Sequence, residues 1–282
     1  DSGEVRGAVR VGELAMNGRG YIPDHADIVR PHVSHLLGAR YGAETPATVD
    51  LEPLAPSPLD QGPTSSCTGH GTATAIAIAT RGLLPFVASP RGIYGVARAV
   101  DRESPIDGMT DSGAMPDQVI RGIAVWGVRP IASPTSDGRY SDCEPKNVND
   151  EPTLGEIESS LRSLVVGSHA ITSSGTTRTT EIREALAAGY PVCCGTFADT
   201  AFDNWRAGDT PMGVPDTSDP NGGGHWICIV GYVTASDGST TWKVRNSWSS
   251  AWGDSGNFYA SEAWTDQVTD LYVFHVQIEG VS

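Results

Sequence analysis

A cysteine followed by an almost unbroken run of small residues is the feature that most constrains this chain. After Cys67 the sequence reads Thr-Gly-His-Gly-Thr-Ala-Thr-Ala, and the small residues from Gly69 to Ala79 predict a tightly packed helix. At the first turn of a helix, unpaired N–H groups and the positive end of the helix dipole favour a thiolate. Cys67 is therefore a candidate nucleophile, and the alternative is a buried structural cysteine.

Other stretches supply the groups that a cysteine nucleophile needs. His225 follows a glycine turn and opens a short β-branched run that predicts a buried strand. Asn246 ends a second predicted strand and precedes a turn rich in tryptophan and glycine. Gln61, on the loop just before Cys67, can offer its side-chain amide to an oxyanion beside the sulfur. Together these residues form a nucleophile, a base, an orienting amide and an oxyanion donor.

The motifs around these residues resemble the papain family of cysteine peptidases. That family carries a Gln-Gly-x-Cys-Gly-Ser-Cys segment, a His that opens a strand, and Asn-Ser-Trp-Gly followed by Trp-Gly. The matching positions are Gln61, Gly62, Ser66, Cys67, His225, Asn246, Ser247, Trp248, Trp252 and Gly253. His and Asn lie further downstream than the roughly 130–150 residues expected after the Cys, which indicates insertions.

The resemblance extends from about residue 20 to the end of the chain. The segment Gly20-Tyr-Ile-Pro-Asp24 and the Cys67-Thr68 pair are most similar to the bacterial and viral branch of the family. Three positions depart from the family pattern: Thr64 replaces the disulfide-forming Cys of many secreted members, Thr68 replaces a Trp, and Ser249 replaces a Gly. None of these changes removes a catalytic group.

The resemblance implies an α+β, papain-like fold with a helical half, an antiparallel β-barrel-like half and an active-site cleft between them. Residues 1–46 are expected to form an N-terminal extension, 47–130 the helical half with the nucleophile, and 131–282 the β-rich half with His and Asn. The extension is too short to resemble the usual inhibitory propeptide of the family. A structural role is expected for it, with a regulatory role as the alternative.

The implied activity is that of a cysteine endopeptidase that works through an acyl-enzyme intermediate. His225 takes the proton of the Cys67 thiol to give a thiolate–imidazolium pair, and Asn246 fixes the imidazole ring. Gln61 and the backbone N–H of Cys67 hold the oxyanion. Trp248 covers the His–Asn hydrogen bond from water and borders the substrate site.

The resemblance also implies a pocket for the second substrate side chain upstream of the cut. Trp226 stands at a wall position where Ala is usual, and Gly195 stands where a branched apolar residue is common. Ser112 and Gly113 are expected to form the ledge that pairs with the extended substrate backbone. The alternative for Trp226 is a place in the core, because an indole prefers burial.

Composition restricts the partners of the chain. The net charge is −15 and the pI is about 4.7, so nucleic acid and anionic membranes would repel it, and a polypeptide substrate is the expected partner. No metal or cofactor is expected, because the acidic loop from Asp216 lacks the calcium pattern and the remaining histidines lack ligand spacing. His70 is expected to face solvent or to be satisfied in the core.

The cysteines indicate a compartment. Their number is five, which is odd, and Cys193 and Cys194 are adjacent on a predicted strand, where their side chains point to opposite faces. Few or no disulfides are therefore expected, and hence a reducing or sheltered compartment, either cytoplasmic or particle-enclosed. No signal peptide or transmembrane run is visible in the sequence.

Periodicity predicts the remaining elements. Helices are expected at 116–126 and 180–189, and strands at 191–197, 225–233, 241–246, 257–260 and 270–278. Weaker patterns suggest an edge hairpin at 4–16, a helix within 27–37, a surface loop at 133–152 and an amphipathic stretch at 153–165. Two other functions stay open: a binding or assembly module that has lost turnover, and a transamidase or ligase with the same acyl-enzyme chemistry.

Overall fold

A computed structural model describes residues 18–81, 83, 87–100, 111–128 and 164–278. The helices in these ranges are Val33–Leu37 (α1), Cys67–Ala79 (α2), Pro90–Ala99 (α3), Pro116–Trp126 (α4), Gly175–Ala187 (α5), Thr200–Asn204 (α6) and Glu262–Thr265 (α7). The strands are Thr48–Asp50 (β1), Leu164–Ala170 (β2), Val192–Ala198 (β3), Gly223–Thr234 (β4), Thr240–Arg245 (β5), Asn257–Ser261 (β6) and Thr269–Ile278 (β7). Short 3-10 helices span Gly38–Arg40 and Glu52–Leu54.

Helix α2 is the buried centre of the molecule, and its small residues make this possible. It packs against α3 on one side and against β4 and β7 of the sheet on the other. A Cβ added to Gly69 would lie 2.2 Å from the carbonyl oxygen of Pro90 in α3. A Cβ added to Gly71 would lie 2.7 Å from Cδ1 of Trp226 in β4. Glycine is therefore required at both positions for the helix to approach its neighbours this closely.

The strands form one antiparallel sheet in the order β2-β7-β3-β4-β5-β6, with β1 paired to β4 outside this path. Among the described strands the sheet is open, because β2 and β6 form its two ends and do not pair with each other. The α+β class and the antiparallel sheet are thus confirmed, and the described strands of the expected barrel-like half form an open sheet. Strand β1 lies within the range expected for the helical half but joins this sheet.

Most of the elements predicted from periodicity are confirmed. Helix α4 has the predicted bounds, and the five predicted strands correspond to β3–β7 with ends that shift by one or two residues. The pattern at 27–37 gives only the short helix α1, because Pro31 restricts the residue before it and lacks an N–H. The predicted hairpin at 4–16 and loop at 133–152 lie outside the described residues, as does most of the amphipathic stretch at 153–165.

Two contacts bring the start of α2 next to the ends of β4 and β5. The backbone N–H of Gln61 donates to the carbonyl oxygen of Ser247 at 2.9 Å, and Asp60 forms an isolated antiparallel bridge with Trp248. His225 lies near the start of β4, and Asn246 directly follows its partner strand β5, so both occupy the same end of the strand pair. Within the described ranges, no helix is long and apolar enough to cross a membrane.

Candidate active site

The Cys67 sulfur is enclosed by backbone N–H groups. The residue begins α2 and is fully buried, and its sulfur accepts hydrogen bonds from the backbone of Trp226 and Gly20. Burial opposes the charged form more strongly than these donors favour it, so the pKa of the thiol rises to about 12. In this structure Cys67 is therefore a neutral thiol at neutral pH.

His225 presents one ring nitrogen to Asn246 and leaves the other free. Nε2 lies 2.7 Å from Oδ1 of Asn246, an oxygen that also accepts the backbone N–H of Ser247 at 2.8 Å. A carbonyl oxygen can only accept, so Nε2 carries the proton and Nδ1 keeps its lone pair. Nδ1 is buried and has no hydrogen-bond partner among the described residues. Burial, together with the positive charge of Arg19, lowers the pKa of the imidazole to about 4.

Aromatic rings cover the His225 side chain. The Trp248 ring lies 4.9 Å from the imidazole at an angle of 30°, and the edge of Phe202 approaches at 5.7 Å. The guanidinium of Arg19 lies 5.7 Å from the Trp248 ring. These apolar faces exclude water from the imidazole and explain the direction of its pKa shift.

Both polar atoms of the Gln61 side chain, Nε2 and Oε1, form hydrogen bonds. Its Nε2 donates to the carbonyl oxygens of Gly18 at 3.0 Å and Thr64 at 2.7 Å, and its Oε1 accepts the hydroxyl of Ser247 at 2.5 Å. The hydroxyl of Thr64 returns a hydrogen bond to the carbonyl oxygen of Gln61 at 2.7 Å. Thr64, which stands where many secreted family members carry a disulfide-forming Cys, thus closes this loop by hydrogen bonds.

His70 is satisfied in the core and does not face solvent. The residue is buried, and Nδ1 donates to the carbonyl oxygen of Ser66 at 2.9 Å. Ser249 stands at the position where the family motif has Gly, and its backbone keeps a left-handed φ of 63°. That departure therefore preserves the turn after Asn246 at the cost of some local strain.

The cleft is occupied by residues 18–24 of the chain itself, a segment that we term the cleft segment. It lies between both walls and is held by backbone hydrogen bonds: Gly18 N to Gly62 O (2.9 Å), Tyr21 N to Gly224 O (3.2 Å), Ala114 N to Gly20 O (2.9 Å) and Ile22 N to Ala114 O (3.2 Å). The sequence-based expectation for the N-terminal extension, a structural role with a regulatory role as the alternative, did not include this placement.

Two glycines make the close approach of the cleft segment possible. A Cβ on Gly18 would lie 1.8 Å from the carbonyl oxygen of Thr64, and one on Gly20 would lie 1.9 Å from that of Ser65. No side chain fits at either position. The alternating glycines of the Asn-Gly-Arg-Gly sequence are the signal that sequence reasoning missed.

Ser112 and Gly113, the residues expected to form a backbone ledge, lie directly before the residue that pairs with the cleft segment. Ser112 is exposed, and the N–H of Gly113 donates to the hydroxyl of Tyr94 at 2.9 Å. The residue that pairs with the cleft segment on this wall is Ala114, through both its N–H and its carbonyl. A Cβ on Gly113 would nevertheless lie 2.3 Å from the carbonyl oxygen of Gly20, so Gly113 leaves the room that the segment needs.

Gly195 and Trp226, which were expected to border one pocket, lie together in the structure. They are direct partners in the pairing of β3 with β4. The Tyr21 side chain fills the space beside them, with its ring centroid 5.6 Å from that of Trp226 and an interplanar angle of 27°. Trp226 is itself almost completely buried, so it belongs to the core and borders this pocket at the same time.

The described cysteines are free and buried: Cys67, Cys193, Cys194 and Cys228. Cys193 lies opposite Cys228 on the neighbouring strand, and its thiol points to the carbonyl oxygen of Gly71 at 3.6 Å. Within the described ranges, no group of three or more His, Cys, Asp or Glu residues is arranged to hold a metal ion.

Comparisons with known proteins place this geometry in a family. The family model described as papain family cysteine protease matches residues 141–270. An uncharacterized peptidase C1-like protein of Acanthamoeba polyphaga mimivirus is 30% identical over 217 residues, which cover 73% of this chain and 64% of that protein. Gamete and mating-type specific protein A of Dictyostelium discoideum is 33% identical over 103 residues, or 33% of this chain. The chain spans only 64% and 21% of the lengths of these two curated relatives.

Solved structures share the fold. Xylellain, a cysteine protease from Xylella fastidiosa, superposes with a TM-score of 0.65 at 24% identity, over 92% of this chain and 96% of that one. Digestive procathepsin L 3 of Tenebrio molitor gives the same TM-score of 0.65 at 17% identity, over 93% of this chain and 76% of that one. The viral relative and the bacterial structure agree with the branch that the sequence resembles. The family match, the viral relative and the shared fold together support a papain-like family for this chain.

Proposed function

We propose that this chain is a cysteine endopeptidase with Cys67 as its nucleophile and His225 as its general base. One observation carries the proposal. Asn246 holds His225 by Nε2 and leaves Nδ1 without a partner among the described residues, while the next backbone N–H, that of Trp226, contacts the Cys67 sulfur. The residue whose ring carries the free base nitrogen, His225, is thus the direct neighbour in sequence of Trp226, whose N–H contacts the Cys67 thiol.

The proposed reaction follows from these positions. Nδ1 of His225 takes the proton of the Cys67 thiol, and the sulfur attacks the peptide carbonyl carbon. The Nε2 amide of Gln61 and the backbone N–H of Cys67 stabilise the resulting oxyanion. The imidazolium then protonates the leaving amine, and water hydrolyses the thioester. Asn246 keeps the imidazole ring in position through both steps.

Catalysis requires that the cleft segment leave. Its Gly18 carbonyl uses a hydrogen bond of Gln61 that the oxyanion needs, and its Gly20 N–H contacts the Cys67 sulfur. The segment also contributes to the burial that keeps Cys67 and His225 neutral. Entry of water and substrate after its release would favour the thiolate–imidazolium pair. We therefore propose that the described form is a covered resting state of the enzyme.

The match to the papain family of cysteine proteases supports a polypeptide substrate. The proposed division is an extension of residues 1–46, a helical half of 47–130 and a β-rich half of 131–282, with the substrate in the cleft where residues 18–24 now lie. A silent binding module is less well supported, because Cys67, His225, Asn246 and Gln61 are all present and Asn246 holds the His225 ring. A transamidase or ligase would use the same groups and differ only in the acceptor of the acyl group.

Thiol labelling followed by product analysis tests the proposal. An epoxide-type inhibitor should add its mass at Cys67 in the intact chain, slowly, and faster in a Gly20→Ala chain whose cleft segment is displaced. A peptide substrate should give a free carboxylate product. Failure of Cys67 to react in both chains would favour the silent module, and transfer of the acyl group to an added amine in preference to water would favour the transamidase.

A further inference from the structure

The pocket beside Gly195 already contains a side chain of a defined kind. Tyr21 is 7% exposed, and a Cβ on Gly195 would lie 2.1 Å from Cζ of its ring. The indole of Trp226 stacks on the Tyr21 ring. A glycine floor and an aromatic wall thus form a flat slot, and this shape selects a planar ring over a branched side chain.

The far end of this slot is polar. The Tyr21 hydroxyl donates to Oδ2 of Asp270 at 2.5 Å and lies 2.6 Å from Oγ1 of Thr269. Burial, together with the neighbouring Asp270 carboxylate, raises the pKa of the phenol, so the hydroxyl keeps its proton and donates it. Asp270 has a left-handed backbone φ of 48°, which is uncommon for residues other than glycine.

The slot lies next to the reacting atoms. The N–H of Gly20, the residue just before Tyr21, contacts the Cys67 sulfur, and the slot wall Trp226 contributes the other long-range N–H to that sulfur. A side chain in this slot therefore belongs to a residue whose backbone passes the nucleophile. The same slot is available to a substrate only when Tyr21 has left it.

We propose that this slot selects a tyrosine side chain of the substrate, with Asp270 as the specificity-determining residue, and that Tyr21 occupies it as an internal competitor. The inference rests on the proposed peptidase function and names its substrate class: polypeptides with tyrosine at the second position upstream of the cut. A phenylalanine in the slot leaves the buried end of the slot without its donor, which lowers affinity.

Binding measurements separate this inference from catalysis. The test protein is the full chain with Cys67→Ala and Tyr21→Ala, which vacates the slot and prevents reaction. The probes are two acetylated, dye-labelled tripeptides that differ only in Tyr or Phe at the second position, measured by fluorescence anisotropy. Because the acceptor is a carboxylate, the Tyr peptide should bind at least about tenfold more tightly.

A variant series then assigns the preference to Asp270. Asp270→Gly removes the carboxylate without straining the left-handed backbone, so the Tyr-to-Phe ratio should fall to about twofold or less. Asp237→Gly is the matched control, since Asp237 lies in the exposed turn between β4 and β5, at the opposite end of β4 from His225, and the ratio should not change.

Several outcomes overturn the inference. Equal binding of the Tyr and Phe peptides would do so. An affinity ratio of Tyr to Phe peptide that does not change in Asp270→Gly would do so as well. Tighter binding of a lysine peptide than of the tyrosine peptide would also overturn it. A second measurement covers misfolding of the double variant: Tyr21→Phe in the otherwise native chain should raise the rate of iodoacetamide reaction at Cys67 about tenfold. An unchanged rate would contradict the inference. Neither measurement requires peptide hydrolysis, so failure of this inference and failure of the proposed peptidase function can be told apart.

Discussion

Nε2 of His225 lies 2.7 Å from Oδ1 of Asn246, and the opposite nitrogen, Nδ1, has no hydrogen-bond partner among the described residues. A buried nitrogen without a partner is costly in a core that has only a structural purpose. Such a nitrogen is expected in an active site, where it must accept a proton from the reacting group. In the covered cleft, burial keeps both this imidazole and the Cys67 thiol neutral.

Replacing the nucleophile should remove activity and preserve the fold. In Cys67→Ala we expect no peptide hydrolysis and a loss of roughly 1 kcal/mol in the free energy of unfolding, because a small residue replaces a small one. Cys194→Ala is the matched control, since Cys194 is equally buried, and activity should persist there. Hydrolysis assays and thermal melts check both variants. Loss of soluble protein in Cys67→Ala would instead support a structural cysteine.

Removing the orienting amide should weaken activity less than removing the nucleophile. Asn246→Ala deletes the 2.7 Å hydrogen bond to His225, a bond that strengthens when the ring becomes charged. We expect kcat to fall by about 10–150-fold, the equivalent of about 1.5–3 kcal/mol, with little change in KM. Asn204→Ala, at an exposed position of α6, should leave kcat unchanged. Equal losses in Asn246→Ala and Cys67→Ala would argue against an orienting role.

Displacing the cleft segment should expose the nucleophile. In Gly20→Ala the new Cβ would lie 1.9 Å from the carbonyl oxygen of Ser65, so the segment cannot keep its position. We expect faster alkylation of Cys67 and higher peptidase activity than in the native chain. Gly213→Ala is the control, because a Cβ there meets nothing within 4 Å. If Gly20→Ala leaves both rates unchanged, the segment does not limit access to the cleft.

The covered form should also show a distinct pH dependence. The pKa of the Cys67 thiol is raised to about 12 and that of His225 is lowered to about 4, so both groups are neutral between these values. Alkylation of Cys67 in the native chain should therefore rise about tenfold per pH unit between about pH 6 and 9, in proportion to the thiolate fraction. In Gly20→Ala the rate should be higher at neutral pH and nearly flat. Parallel profiles of the two chains would contradict a role for the segment in suppressing the ion pair.

Sequence motifs indicate candidate residues by their chemistry and miss positions that are fixed by backbone contacts. Cys67, His225 and Asn246 are candidates because their residue types and their strand or helix positions match the motif pattern. The cleft segment was missed because its hydrogen bonds run between main-chain atoms far apart in sequence, which leave a trace only at Gly18 and Gly20. Periodicity predicted β3–β7 but could not show that the described strands form an open sheet, because strand order depends on long-range pairing.

The last prediction concerns Trp226, which combines a core position with a wall of the slot. Its indole contacts helix α2 at Gly71 and stacks on Tyr21 at 5.6 Å. Trp226→Ala should therefore lower the free energy of unfolding by about 3–5 kcal/mol and widen the slot toward large apolar side chains. Trp226→Phe keeps an aromatic wall and should retain most of both properties.

Thermal melts and profiling on one peptide library separate the two contributions of Trp226. If the residue borders the slot, the preference at the second upstream position shifts in Trp226→Ala and is largely kept in Trp226→Phe. A lowered melting temperature with an unchanged preference would assign Trp226 to the core alone. The slot would then be bordered by Gly195, Thr269 and Asp270, and the stacking of Trp226 on Tyr21 would contribute to the covered form without selecting the substrate.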